Sequence, residues 1–126
     1  MEHSRHLQEN SLVEINSLDV RIEAPRRIVH PLQSVSFTIG KGSRTGLVGE
    51  SGSGKSMTSL AMLRILPTHG EITNGSIVFD GQDLLSLSDE QMRQVRGRRI
   101  GLILQNARAA LNPVFSVGQQ IVDLCQ

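Results

Sequence analysis

The chain has 126 residues, of which 20% are charged and 38% hydrophobic, and its formal net charge is +1 at pH 7. This length allows one modest domain with its own core, and the near-neutral charge argues against nucleic acid as the main partner. A single cysteine, Cys125, excludes an internal disulfide and indicates a reducing compartment. No apolar run approaches the roughly 20 residues of a membrane-spanning helix, and the polar start excludes a secretory signal.

The N-terminal part of the chain predicts a tail followed by short strands. Residues 1–11 are predicted to be a loose tail and residues 12–126 the folded part. Alternating apolar residues predict two strands, one around Leu18, Val20 and Ile22 and the next around Val35, Phe37 and Ile39. Between them, Ala24–Pro31 contains two prolines and two arginines and is predicted to be a loop. A third strand is predicted at Arg44–Val48.

A glycine-rich turn follows this third strand and fits the pattern G-x-x-x-x-G-K-[ST]. It comprises Gly49, Glu50, Ser51, Gly52, Ser53, Gly54, Lys55 and Ser56. Glycines allow positive φ angles, so the backbone N–H groups turn inward and form a nest for phosphate oxygens. The following helix adds free N–H groups. Lys55 is predicted to reach the β and γ phosphates and the Ser56 hydroxyl to ligate Mg²⁺, whereas the Glu50 and Ser53 side chains are expected to face outward.

The remainder alternates between helices and strands. Helical spacing predicts a helix at Lys55–Leu66, and the segment with His69, Gly70 and Asn74-Gly75 is predicted to be a loop. Strands are predicted at Ser76–Phe79 and, as a buried apolar run, at Ile100–Leu104. Ser88 and Gln91 have capping-box spacing for a short helix that ends near Gly97. Ser116 is predicted to cap a last helix, whose apolar face carries Val117, Ile121 and Leu124.

The sequence GLVGESGSGKS at Gly46–Ser56 resembles the Walker A region of ABC transporter ATPases, especially those of di- and oligopeptide or nickel importers. A second piece, IGLILQNARAALNPVFSVGQQ at Ile100–Gln120, is similar to the Q-loop of that family. The resemblance extends from Leu12 to the end. It implies an α/β fold with a P-loop NTPase core and an N-terminal antiparallel β subdomain, cut at the start of the helical subdomain. With the last helix still apolar at Gln126, the chain is expected to be an N-terminal fragment.

The same resemblance implies a site and partners. Gln105 would be the Q-loop glutamine, whose amide oxygen approaches Mg²⁺ or the attacking water; the alternative is a solvent-facing cap of a buried strand. Lys55 and Gln105 would carry the catalytic roles, and Ser56 and Gln105 those of metal ligands. ATP with Mg²⁺ would bind between two such subunits at the cytoplasmic face of the membrane. The partners would be transmembrane permease subunits and, indirectly, an external substrate-binding protein.

Several family features are missing from the sequence. No aromatic residue lies at Ala24–Pro31, where the family stacks adenine, so Arg27 or Ile28 are the candidates for contact with the base. There is no LSGGQ-like signature, no second apolar run that ends in Asp-Glu and no histidine beyond the Q-loop. Without a visible general base, little or no ATP turnover is expected from this chain alone.

Two alternative functions remain open at this point: a nucleotide-binding regulatory module that does not hydrolyse ATP, and a soluble ABC ATPase of DNA repair or translation. A small-molecule kinase with the same loop fits the N-terminal strands less well. The basic cluster of Arg93, Arg96, Arg98 and Arg99 is interpreted as a solvated face at a helix end rather than a nucleic-acid site.

Overall fold

A computed structural model of the chain describes residues 10–106 and 111–125. In these residues, four strands form one antiparallel sheet in the order β2-β1-β3-β4. The strands are β1 (Ser11–Ala24), β2 (Arg27–Gly40), β3 (Gly70–Phe79) and β4 (Gln82–Asp83), and the helices are α1 (Lys55–Met62), α2 (Asp89–Val95) and α3 (Val117–Leu124). None of these helices is both long and apolar enough to cross a membrane. Of the predicted tail, residues 1–11, only residues 10 and 11 are among the described residues, and Ser11 already belongs to β1.

Strands β1 and β2 form a long hairpin, which corrects the predicted loop at Ala24–Pro31. Ala24 pairs with Arg27, so only Pro25 and Arg26 make the turn. Residues 27–31 belong to β2 instead. Pro31 is compatible with this position because β2 lies at the edge of the sheet, where a residue without an N–H group interrupts no ladder on the open side.

The core lies against the central strand β1, whose inward side chains are fully or almost fully buried. Ile15 and Leu18 are both inward although three residues apart, because a bulge at Ser17 (φ 45°) shifts the register. On the facing strand, Gly75 has φ 94°, and a Cβ there would lie 2.5 Å from the Asn16 carbonyl oxygen. Asn74 and Gly75 therefore lie inside β3, where Gly75 is opposite the bulge of β1, and not in the predicted loop.

Helix α1 begins at Lys55 as predicted but ends at Met62 instead of Leu66. Arg64 adopts a left-handed conformation (φ 52°), which ends the helix. The side chain of Arg96 donates hydrogen bonds to the carbonyl oxygens of Leu63 (2.7 Å) and Arg64 (3.2 Å). Because these carbonyls find a partner more than 30 residues away in the sequence, the helix end is set by a tertiary contact.

The two predicted caps are present. The Ser88 hydroxyl accepts from the Gln91 backbone N–H and the Gln91 side chain accepts from the Ser88 N–H, which completes the capping box of α2. The Ser116 hydroxyl accepts from the Gln119 N–H at the start of α3. These local signals therefore located both helix starts correctly.

The predictions of strands at Arg44–Val48 and Ile100–Leu104 are wrong for this structure. Both segments are irregular, and Val48 and Ile103 are 96% and 98% exposed. Ile100 alone forms a bridge, with Arg96. A continuous apolar strand is stable when neighbours pair with its edges and cover its faces, and the described residues form no such ladder with either segment.

Candidate functional site

The glycine-rich loop joins the irregular segment before it to helix α1. Gly52 and Gly54 have φ angles of 82° and 91°, in the region that glycine adopts at little cost. Gly54 is the N-cap of α1, and the first turn of this helix contains no acidic residue. The free N–H groups at the helix start thus keep their partial positive charge, which favours an anion.

The loop is fixed against the edge strand through Gly54. A Cβ at Gly54 would lie 2.7 Å from both the Pro31 carbonyl oxygen and a methyl group of Leu32, so only glycine fits between loop and strand. The buried Thr58 donates to the Gly54 carbonyl oxygen from its backbone N–H (2.9 Å) and its hydroxyl (3.0 Å). Loop, strand β2 and helix α1 therefore meet at one residue.

The Lys55 ammonium is bound by oxygen atoms of the loop itself. Its Nζ atom donates to the carbonyl oxygens of Gly49 (2.7 Å) and Glu50 (2.6 Å) and to the Ser53 hydroxyl (3.1 Å). A Cβ at Gly49 would come within 2.5 Å of the Ser53 Oγ atom, so the loop closes tightly over the lysine. Gly49 and Glu50 thus contribute backbone carbonyls, and Ser53 turns its hydroxyl inward, unlike the outward position predicted for it.

A cleft of about 470 Å³ opens above the loop. Most of the predicted loop residues line it, and Gln105 joins them there although it lies far from Lys55 in the sequence. Two lining residues, Pro31 and Met57, were not predicted as site residues. Pro31 lay in the predicted loop Ala24–Pro31, and Met57 lay in the predicted helix Lys55–Leu66. The complete lining is Pro31, Ser51, Gly52, Ser53, Gly54, Lys55, Ser56, Met57 and Gln105.

The donor set of this cleft suits a magnesium ion that arrives with phosphates. Ser56 and Gln105 offer a hydroxyl and an amide oxygen in the same cleft, and Mg²⁺ prefers oxygen ligands, keeps several waters and is shared with substrate phosphates. Within the described ranges, no group of three or more His, Cys, Asp or Glu residues could hold a metal on its own. The residues present therefore fit a nucleotide-bound ion.

No aromatic side chain lines the cleft in the described part of the chain. Phe37 lines a second cleft of about 140 Å³, and Ser53, Gly54 and Lys55 of the loop line both clefts. Arg27 and Ile28, the predicted contacts of a base, pair with Ala24 and Glu23 in the hairpin and lie outside the cleft lining.

Each arginine of the basic cluster makes a contact within the chain. Arg96 binds the end of α1, Arg93 pairs with Glu90 (3.4 Å) and Arg98 donates to Gln94 (2.7 Å). Arg99 pairs with Asp80 at 2.9 Å and lies 4.9 Å from the centre of the Phe79 ring. The cluster was interpreted from the sequence as a solvated face at a helix end, and that interpretation did not predict that Arg96 caps the end of α1.

The sequence profile of the family described as "ABC transporter" matches residues 32–123. The chain is 36% identical over 117 residues to the oligopeptide transport ATP-binding protein OppD of Haemophilus influenzae, covering 93% of this chain and 36% of that protein. It is 40% identical to OppD of Bacillus subtilis, over 90% of this chain and 32% of that protein. It is 44% identical to the probable D,D-dipeptide transport ATP-binding protein DdpD of Escherichia coli, over 76% of this chain and 30% of that protein. The chain thus spans about a third of the length of these curated relatives.

Two solved structures share the fold. The dimeric ATP-binding cassette MJ0796 bound to ADP and Pi superposes with a TM-score of 0.57 at 22% identity, over 66% of this chain and 34% of that one. A bacterial Atm1-family ABC exporter with ATP bound gives a TM-score of 0.53 at 28% identity, over 70% and 14% of the two chains. These similarities confirm the predicted fold class.

Proposed function

The chain belongs to the ABC transporter family, and on that premise we propose that it forms the nucleotide-binding part of an ATP-binding subunit of a peptide importer. The observation that carries the proposal is the meeting of the glycine-rich loop, Ser56 and Gln105 in one cleft. The relatives described above are named for oligopeptide or D,D-dipeptide transport, which favours peptides over nickel as the transported substrate.

The loop would bind the phosphates of ATP through exchange of partners at Lys55. The ammonium, held by the Gly49 and Glu50 carbonyls and the Ser53 hydroxyl, would turn to the β and γ phosphates, because charge-assisted hydrogen bonds to phosphate oxygens are stronger than those to carbonyls. The N-terminus of α1 would add its N–H groups. Ser56 and Gln105 would hold Mg²⁺, which neutralises charge on the phosphates.

The segment after Gln105 would couple this site to the membrane. It includes helix α3 and the turn before it. There the side-chain amide of Gln120 accepts a hydrogen bond from the Asn112 N–H (2.9 Å) and donates one to the Asn112 carbonyl oxygen (3.1 Å). We propose that this segment contacts a transmembrane permease subunit at the cytoplasmic face, that a second ATP-binding subunit closes over the nucleotide, and that an external binding protein delivers the peptide.

The first test is nucleotide binding by Lys55→Ala, with Lys41→Ala as a control. Loss of a charged hydrogen-bond donor to the phosphates should weaken ATP binding about 10- to 100-fold in titration calorimetry. Lys41, the other lysine, pairs with Asp80 away from the cleft, so its removal should leave affinity unchanged. ATP should be recovered unhydrolysed from the 126-residue chain, because in the described part of the chain no Asp, Glu or His that could act as a general base lines the cleft.

Equal affinity of the two lysine variants for ATP would contradict the nucleotide site. Measurable Mg²⁺-dependent hydrolysis by the chain alone would contradict the proposed division of roles, in which this part binds ATP and turnover needs further groups.

A further inference from the structure

We propose that Pro31 is the surface against which the nucleoside of the bound nucleotide lies, in the place of an aromatic ring. The inference rests on the proposed function and adds a contact residue to the same site. Pro31 lines the cleft of the glycine-rich loop, whereas the described part of the chain brings no aromatic side chain into that lining.

The cleft is lined by both polar and apolar residues. Its polar lining comes from the glycine-rich loop with Lys55 and Ser56, residues whose N–H, ammonium and hydroxyl groups suit phosphates. Pro31 and Met57 contribute the apolar side chains of the lining. A nucleotide carries its anionic groups at one end and an apolar ring face at the other, so the phosphates in the loop leave the nucleoside for the apolar side chains.

The position of Pro31 relative to the phosphate site is fixed by the fold. A Cβ at Gly54 would lie 2.7 Å from the Pro31 carbonyl oxygen, so strand β2 and the loop are in direct contact at this point. The pyrrolidine ring fixes φ and has no free rotamers. Contact with Pro31 therefore costs little side-chain entropy on binding, which is an advantage shared with a rigid aromatic ring.

The edge position of β2 makes this use of proline possible. A proline within a central strand would remove a ladder hydrogen bond, whereas β2 has a free edge. Leu32, the next residue, is 2% exposed and anchors the strand in the core. Pro31 is half-buried beside it, so its ring combines a fixed position with a surface that a ligand can cover.

The test compares a ligand that carries a nucleoside with one that does not. In calorimetric titrations of the full chain, Pro31→Ala should weaken ATP binding about four- to fifteenfold, the effect of one or two lost CH₂ contacts. Binding of inorganic tripolyphosphate should stay the same, because it contacts the loop alone. Pro31→Val, which keeps an apolar side chain and suits a strand, should retain most of the ATP affinity.

The matched control is Pro25→Ala, which changes the same residue type in the hairpin turn, beside a different cleft, and should alter neither affinity. Pro31→Ser replaces Pro31→Ala if the latter fails to fold by circular dichroism. Unchanged ATP affinity in the Pro31→Ala variant, or an equal loss for ATP and tripolyphosphate, would overturn the inference while the nucleotide site stands. If the unsubstituted chain binds neither ligand, the proposed function fails and this inference fails with it.

Discussion

Among single residues, Asp80 joins three separate segments of the chain outside the cleft. Its carboxylate accepts from Lys41 (2.8 Å) and Arg99 (2.9 Å), and its backbone N–H donates to the Leu12 carbonyl oxygen (2.7 Å). It therefore connects the turn after β2, the start of β1 and the segment after α2. The hydrogen bond and charge of Lys41, followed by the charge of Arg99, lower the pKa of Asp80 below its ordinary value of 3.8.

This lowered pKa predicts a small acid dependence of stability. A carboxyl group whose folded-state pKa is depressed stabilises the fold above its unfolded pKa, and this contribution is lost as the pH falls through the folded value. Asp80→Asn should therefore unfold at lower urea concentration than the unsubstituted chain at pH 6, and the difference should shrink below pH 3.8. Asparagine tolerates the φ of 49° at this position. A difference in stability that is independent of pH would contradict the lowered pKa of Asp80.

Gly75 offers a test of close backbone approach at a single position. Its φ is 94°, and the carbonyl oxygens of Asn16 and Ser17 lie 2.5 and 2.6 Å from the point that a Cβ would occupy. Gly75→Ala should therefore lower the free energy of unfolding by more than about 2 kcal/mol. Gly81 also has a positive φ (79°), but nothing lies within 4 Å of its Cβ position, so Gly81→Ala should cost only about 1 kcal/mol. Equal costs in chemical denaturation would show that steric contact at Gly75 is unimportant.

At the scale of elements, helix α1 is held at both ends by other parts of the chain. Its start rests on β2 through Gly54, and its end is capped by Arg96 from the residue after α2. Arg64, just beyond α1, donates in turn to the Leu87 carbonyl oxygen (2.6 Å) before α2. Two arginines therefore join α1, the helix after the glycine-rich loop, to the segments on both sides of α2.

Arg96→Met should lower the free energy of unfolding by about 1–3 kcal/mol. The two carbonyl oxygens at the end of α1 lose their hydrogen-bond donor, whereas methionine keeps an apolar stem of similar length. Arg98→Met is the control: Arg98 is exposed and its guanidinium donates to the Gln94 side chain on the same surface, so its replacement should change stability by less than about 0.5 kcal/mol. Denaturant unfolding of both variants measures the difference, and a reversed order would disprove the capping role.

Local sequence signals predicted the elements that depend on neighbours in sequence. The caps at Ser88 and Ser116 and the start of α1 after Gly54 are confirmed because the residues involved lie within one turn of each other. The end of α1 and the strand position of Gly75 were missed because each depends on a contact with a distant segment. The hairpin turn was missed because proline and arginine were taken to mark a loop, whereas Pro31 occupies an edge strand.

The candidate site was predictable to a similar extent. The loop Gly49–Ser56 was found from glycine spacing, since the phosphate nest is built from consecutive backbone groups. Gln105 was found by resemblance, and the structure places it in the same cleft. Pro31 lay in the Ala24–Pro31 segment where the resemblance placed the contact with adenine, but Arg27 and Ile28 were named as the candidates instead. Its role depends on how closely β2 approaches Gly54, which no local pattern encodes.

For the whole molecule, two apolar runs lie unpaired at the surface. The exposed side chains are Leu47, Val48, Leu102, Ile103 and Leu104. Exposed apolar surface of this kind promotes association. We expect the 126-residue chain to bind a hydrophobic dye such as ANS and to self-associate in light scattering as its concentration is raised.

Ile103→Lys should reduce both effects, because Ile103 is 98% exposed within one of these runs. Ile28→Lys is the comparison, since Ile28 is 54% exposed but belongs to neither run. A larger effect at Ile28 than at Ile103 would place the associating surface on the hairpin instead.

The self-bound state of Lys55 has a kinetic consequence for the whole chain. With the ammonium held by three oxygen atoms of the loop, a phosphate meets a loop that first has to release its own cation. We expect association to be a two-step event in which loop opening precedes capture, so that the observed rate should level off at high ligand concentration. If only the open loop binds, the dissociation constant should exceed that of the open loop itself, and variants that loosen Ser53 should capture phosphate faster without any new contact to it.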